Sequence, residues 1–154
     1  MALRNIVKMG DPLLKKVCRP VEKFDEKLHQ LLDDMWQTLH HAEGLGLAAP
    51  QVGILKRVAI VEWEDQKFEL VNPKLVKSSG RCVDNEGCLS VEGFRGLVAR
   101  PETIDIEYFD RHGNKQTLHA EGYFGRVFLH EMDHLDGILF SDKMIKKNCR
   151  QRLK

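Results

Sequence analysis

The chain has 154 residues, 42% hydrophobic and 31% charged, and its 24 Lys+Arg nearly cancel 23 Asp+Glu to leave a net charge of +1. That length suits one domain with a single core, and the composition excludes collagenous, low-complexity and disordered classes. The longest run free of Asp, Glu, Lys and Arg is Gly44–Leu55, twelve residues, against the ~20 apolar residues of a bilayer-spanning helix, so no membrane contact is expected.

The opening Met1-Ala2-Leu3-Arg4-Asn5-Ile6-Val7-Lys8 has early charges and no apolar run, unlike a secretory signal, and a cytoplasmic protein is expected. Cys18, Cys82, Cys88 and Cys149 form no C-x-x-C pair. In a reducing compartment a domain of this size needs no disulfide, so a cysteine that matters is a ligand or a nucleophile. The ordinary alternative for each is a small buried hydrophobe.

The first element is a helix over Lys27–Ala42, where Leu28, Leu31, Leu32, Met35 and Leu39 make one apolar stripe. Asp25 is its expected N-cap and Gly44 its terminator. His29, His40 and His41 read as solvated helix residues. Strands are expected at Arg57–Trp63 and Phe68–Pro73 with Glu64-Asp65-Gln66 as the turn, then at Leu97–Arg100, Thr103–Phe109 and Gln116–Ala120. A second helix, Gly122–His134, follows from the recurrence of Tyr123, Val127, His130 and His134. A helix, several strands and a helix, with little alternation, predict an α+β fold of antiparallel strands around a central C-terminal helix.

The strongest chemical signal is His130-Glu131-Met132-Asp133-His134. Residues four apart share a helix face, so the two imidazoles can hold one metal, and Glu131 is placed to act as general base. An exposed charged helix face is the plain alternative. A third ligand is required, and two metallopeptidase patterns fail to supply it: no Glu follows Glu131, and the position six residues past His134 is Phe140. Cysteine remains, either Cys88 within Glu86-Gly87-Cys88-Leu89-Ser90 or Cys149 in the basic tail. The run Gly44-Leu45-Gly46-Leu47-Ala48-Ala49-Pro50-Gln51 lacks the Lys-Ser/Thr of a phosphate loop; its small residues suit close backbone approach, and Gln51 is a candidate oxyanion donor.

Together the segments Gly44–Gln51, Glu86–Ser90 and His130–His134 resemble the peptide deformylase motifs G-x-G-x-A-A-x-Q, E-G-C-L-S and H-E-x-D-H, in the same order. The resemblance implies a divalent metal on Cys88, His130 and His134, typically iron(II) in the cell, with zinc, nickel or cobalt as replacements. It further implies that Glu131 moves the proton of the attacking water and that the Leu89 N–H and the Gln51 amide steady the oxyanion. The substrate would be an N-formylmethionyl nascent peptide, laid as an extra strand along Gly44, Leu45 and Gly46, with Gly87, Val127 and Arg95 also in contact. Tyr123 and Val127 share the face of His130 and could equally be core. Leu129 stands where the family often has Gln, and Glu92 where it often has Pro. An unrelated metallopeptidase and a binding module without turnover are the rival readings.

The neutral balance is a cancellation. Residues 143–154 contain Lys143, Lys146, Lys147, Arg150, Arg152 and Lys154 and no acid, so a single catalytic domain over 1–142 is acidic and the tail is basic. A solvated, fraying helix end is the plain reading of that tail; because the substrate of the family it resembles emerges from the ribosome, the other reading is ribosome contact through it, by attraction to RNA phosphates, in a protein otherwise monomeric.

Overall fold

The computed structural model describes residues 2–145. Within them, helix α1 (Glu26–Ala42) precedes strands β1 (Gly46–Ala48), β2 (Val58–Trp63), β3 (Gln66–Ser79), β4 (Cys82–Cys88), β5 (Val91–Arg100), β6 (Thr103–Phe109) and β7 (Lys115–Glu121), and helix α2 (Gly122–Leu135) closes the order. Five strands form one antiparallel sheet in the order β1-β2-β3-β6-β7, and β4 pairs with β5 as a separate hairpin. This is the expected α+β architecture.

Strand β2 explains the layering. Alternate residues of a strand face opposite sides of its sheet. Val58 and Ile60 pack with Leu28, Leu32, Met35 and Leu39 of α1. Ala59 and Val61 pack with Phe128, Met132 and Leu135 of α2. Burial on both faces is why the β2 sequence is a continuous apolar run rather than an alternating one. Ala48 and Ala59 are small on the α2 side, which lets the helix seat close to the sheet. Each stripe leucine of α1 contributes roughly 1.5–3 kcal/mol by leaving water.

Local signals account for most boundaries. The Asp25 carboxylate accepts the Leu28 N–H and caps α1. At the other end the expected terminator Gly44 gives way to Glu43, which takes the left-handed conformation at φ 58° and donates its N–H to the His40 carbonyl. Gly44 serves close packing instead, since a Cβ there would lie 3.0 Å from both Leu39 and Leu89. Glu64 and Asp65 both have positive φ (49° and 71°) and make the two-residue hairpin turn whose twist matches paired strands; Gln66 already belongs to β3.

Strand β3 runs past its expected end at Pro73 to Ser79 because the register against β6 shifts between Val71 and Lys74. The shift accommodates Asn72 at φ 52° and a proline that has no N–H to give the ladder. Strand β4 went unread, since Cys-Val-Asp-Asn-Glu-Gly-Cys has no apolar alternation, and β5 begins six residues earlier than Leu97 because Gly93 and Gly96 break its pattern.

Met144 bridges to Val98, and Ile145 donates its N–H to the Leu97 carbonyl, so the chain leaves α2 along β5. Lys143, read as part of the tail, pairs with Asp133 at 3.1 Å. The rest of the basic tail and Cys149 lie outside the described residues.

Asn72 gives a test of the fold. Its amide accepts the Val21 N–H at 2.8 Å and donates to the Val21 carbonyl at 2.9 Å, pinning the segment before α1 to β3. Asn72→Ala should cost about 2–4 kcal/mol in urea unfolding, from two lost hydrogen bonds and a Cβ residue forced to positive φ. Asn72→Gly should recover about 1 kcal/mol of that, because only the backbone strain is relieved.

Candidate metal and catalytic site

Helix α2 carries His130, Glu131 and His134, all buried. The β4–β5 hairpin brings Cys88 against them from the other side. The ligand-bearing atoms of Cys88, His130 and His134 lie within 4.8 Å of one another. Cys88 Sγ is 3.4 Å from His134 Nε2, close to the ~3.5 Å separation of a thiolate and an imidazole nitrogen sharing one tetrahedral ion at ~2.3 and ~2.0 Å. A thiolate with two imidazoles is a borderline-soft donor set suited to zinc or iron. His134 Nδ1 has no hydrogen-bond partner among the described residues.

His130 is oriented from behind. Its Nδ1 meets Glu86 Oε1 at 2.9 Å, leaving Nε2 for the cysteine side, the usual carboxylate support of a metal-binding histidine. Glu86 is only 2% exposed. It also accepts two hydrogen bonds from Arg100, at 2.5 and 2.8 Å, and one from Arg126 Nη1 at 2.7 Å. Arg100 reaches on to Asp133 at 2.9 Å, and Arg126 donates to the carbonyls of Val98 and Cys82. Burial would raise the pKa of the Glu86 carboxyl, but Arg100 and His130 hold it far below the usual carboxylate range. For His130 burial acts downward, and the contacts with Cys88 and Glu86 push it up to about 10 in the protein alone. His134 is held well below the ordinary histidine value by burial and the nearby His130 charge.

Glu131 points its carboxylate at the floor of the cleft. Its Oε1 is buried without a partner among the described residues, and burial pushes its carboxyl up to about 7. A Cβ at Gly46 would sit 2.6 Å from Glu131 Oε2, so the glycine of β1 makes room for this group. Gln51, on the helical turn Ala49–Val52, accepts the Ala48 N–H at Oε1 (2.9 Å), which turns Nε2 toward Ser90 Oγ (3.1 Å) and Cys88 Sγ (3.6 Å). Leu89 opens the turn between β4 and β5, directly after the cysteine.

The cleft above holds about 1500 Å³. Gly44, Leu45 and Gly46 form one wall, Gly87 and Arg95 the other, and Val127 lies beside His130. Strand β1 is the sheet edge along this cleft, paired on one side only, with β2. Arg95 lies across Gly87, where a Cβ would be 2.6 Å from Nη1. Tyr123 lines the same cleft and donates its hydroxyl to the Asn85 carbonyl at 2.9 Å.

All twelve residues singled out from the sequence thus surround one cleft or its floor. Missed were Glu86, Arg100, Arg126 and Asp133, and Ser90 behind Gln51. A signal existed for two of them: Glu86 is two residues before Cys88 on β4, and Arg126 is one helical turn before His130. His29, His40 and His41 take no part; His29 meets the Arg111 carbonyl and His40 meets Glu62.

The model of the polypeptide deformylase family matches residues 3–150. The chain belongs to the peptide deformylase family. A peptide deformylase of Caldicellulosiruptor bescii is 51% identical over 95% of this chain and 88% of its own, and one of Acetivibrio thermocellus 47% identical over 95% and 86%. Among solved structures, a peptide deformylase from Legionella pneumophila superposes with a TM-score of 0.92 at 36% identity, covering 97% of this chain and 90% of that one. The Ehrlichia chaffeensis peptide deformylase, solved in complex with actinonin, gives a TM-score of 0.92 at 35% identity over 98% and 94%. The α+β fold with a metal-competent cluster between α2 and the β4–β5 hairpin is therefore that of peptide deformylases.

Glu86 provides the test of the deformylase scaffold. Glu86→Gln strips the counter-charge from two buried arginines and the support from His130. It should cost roughly 3–5 kcal/mol in thermal or urea unfolding and weaken metal binding about 10–100-fold in a competition titration.

Proposed function

We propose that this chain hydrolyses the formyl group from the N-terminal formylmethionine of new polypeptides. The observation that carries this is the convergence of Cys88, His130 and His134 with a buried Glu131, whose Oε1 has no hydrogen-bond partner among the described residues, on the floor of a cleft bordered by an open strand edge. Cys88, His130 and His134 would hold a divalent ion, which when bound would supply Lewis acidity and lower the pKa of a water.

The protein's own groups do the rest. Glu131, a carboxylate buried beside the ligand cluster, takes a proton from the attacking water and returns it to the leaving amine, acting first as general base and then as general acid. The water oxygen joins the formyl carbon, the C–N bond breaks, and formate and a free amine leave. The Gln51 amide and the Leu89 N–H donate to the formyl oxygen as negative charge gathers there. The peptide backbone pairs with the edge at Gly44, Leu45 and Gly46 as an added strand. Gly87 allows its close approach, Val127 meets the methionine side chain, and Arg95 reaches the backbone beyond.

For the metal we propose iron(II) in the cell, with zinc, nickel or cobalt as replacements; one thiolate and two imidazoles accept any of them. The same cleft should accept actinonin. We place the enzyme in the cytoplasm as a monomer with one catalytic domain over residues 1–142. The basic tail of residues 143–154 docks it to ribosomal RNA by charge.

Protein purified without oxygen and assayed on formyl-Met-Ala-Ser should release formate and leave the internal amides intact; internal fragments without formate would exclude this function. Glu131→Ala should lower kcat by about 10²–10⁴-fold or more with bound metal retained, whereas Cys88→Ser should lose metal first, as elemental analysis will show. Truncation after Ile145, which spares the contacts of Lys143, Met144 and Ile145 with the fold, should weaken salt-sensitive ribosome binding while turnover of short formyl peptides persists.

A further inference from the structure

The N-terminal segment crosses the back of the cleft and ties together the two chain segments that carry the oxyanion donors. Val7 donates its N–H to the Gln51 carbonyl at 2.7 Å, and Met9 donates to the Ser90 carbonyl at 2.8 Å. Lys8 reaches Glu92 at 2.8 Å and the Leu89 carbonyl at 3.4 Å. Glu92, a departure from the family pattern, is thus the partner of a strap residue. At the centre is Ser90, which donates its hydroxyl to the Val7 carbonyl at 2.6 Å and accepts from Gln51 Nε2 at 3.1 Å.

We propose that Ser90 is a positioning residue for the Gln51 amide, and that the strap Val7–Met9 fixes Ser90 in that role. This rests on the reading of Gln51 as an oxyanion donor. A hydroxyl has one hydrogen on a free rotor. With that hydrogen committed to Val7, Ser90 Oγ faces Gln51 only as an acceptor. A terminal amide torsion is broad and poorly held by sterics, so Gln51 needs its two ends fixed. Ala48 N–H takes Oε1, and Ser90 takes one hydrogen of Nε2. The second Nε2 hydrogen is thereby turned to Cys88 Sγ at 3.6 Å, a long bond at the cleft floor that a substrate oxygen beside the sulfur can take over. Gln51 and Ser90 are each 1% exposed, so water does not compete for these bonds. An amide held in this way needs no reorganisation as charge develops on the substrate oxygen, the condition under which such a donor contributes most.

The test is a mutant cycle on formyl-Met-Ala-Ser turnover with metal content measured on every variant. Ser90→Ala should lower kcat about 10-fold or more, with KM within about 2-fold and metal per chain unchanged. Ser90→Thr, which keeps the hydroxyl, should restore part of the loss. In a Gln51→Ala background, Ser90→Ala should have no further effect, because groups acting as one unit are not additive. Independent, multiplying losses, or an unchanged kcat in Ser90→Ala, would overturn the positioning role while leaving the deformylase reading in place. An unchanged kcat in Gln51→Ala alone would remove the oxyanion role of Gln51 and this proposal with it. Should Ser90→Ala unfold, Ser90→Thr and Ser90→Cys carry the same comparison, and loss of kcat in Cys but not Thr supports the oxygen relay.

Discussion

Everything at the site depends on one buried carboxylate. Glu86 accepts from Arg100 and Arg126 and meets His130, so a strand of the hairpin, its partner strand and the central helix share a single negative charge. Ionising a carboxyl in the interior is costly, and so is burying guanidinium groups. Each group makes the others tolerable, and removing one leaves the rest uncompensated. The network is therefore poor material for stability by itself and good material for geometry. It sets where His130 stands relative to Cys88, which arrives from a different part of the chain.

The apolar layers do the complementary work. Two helices sandwich β2 and hold α2 over the sheet, while the hairpin is fastened mainly through polar bonds to Glu86 and through the small cluster around Leu14, Val98, Leu139 and Phe140. The rigid half of the site, His130, Glu131 and His134, is built on a helix with a full core beneath it. Cys88 and Leu89 sit at the end of a twisted hairpin whose register shifts between Glu86 and Cys88. Such a division suits a site in which ligands must be placed tightly while a substrate enters beside them.

Much of this was legible in the sequence because the residues concerned act through local periodicity. The i, i+4 histidines announce a shared helix face, the leucine stripe announces α1, and Asp25 announces its start. What was not legible depends on long-range pairing. Strand β4 has no alternation to read, since its central residues are exposed and its important ones, Glu86 and Cys88, are polar or half-buried. Arg100 and Arg126 look like ordinary surface cations until the fold places both on Glu86. Gly44 looks like a helix stop by composition, but Glu43 tolerates the left-handed turn and the glycine answers to the side chains of Leu39 and Leu89 instead. Burial, which decides each case, is a property of the folded neighbourhood and not of the local string.

The two rims of the five-stranded sheet differ in a way that bears on self-association. An unpaired strand invites another copy to add on, and proteins commonly blunt such rims with charge. Strand β7 is blunted: Lys115, His119 and Glu121 are exposed along it, and His119 is engaged by Asp105 and Glu121. Strand β1, only three residues long, carries no charge between Gly44 and Ala48. Among the described residues this rim of the five-stranded sheet is short and uncharged, too brief to template a stack of chains and, on the proposed function, long enough to grip the first residues of a peptide.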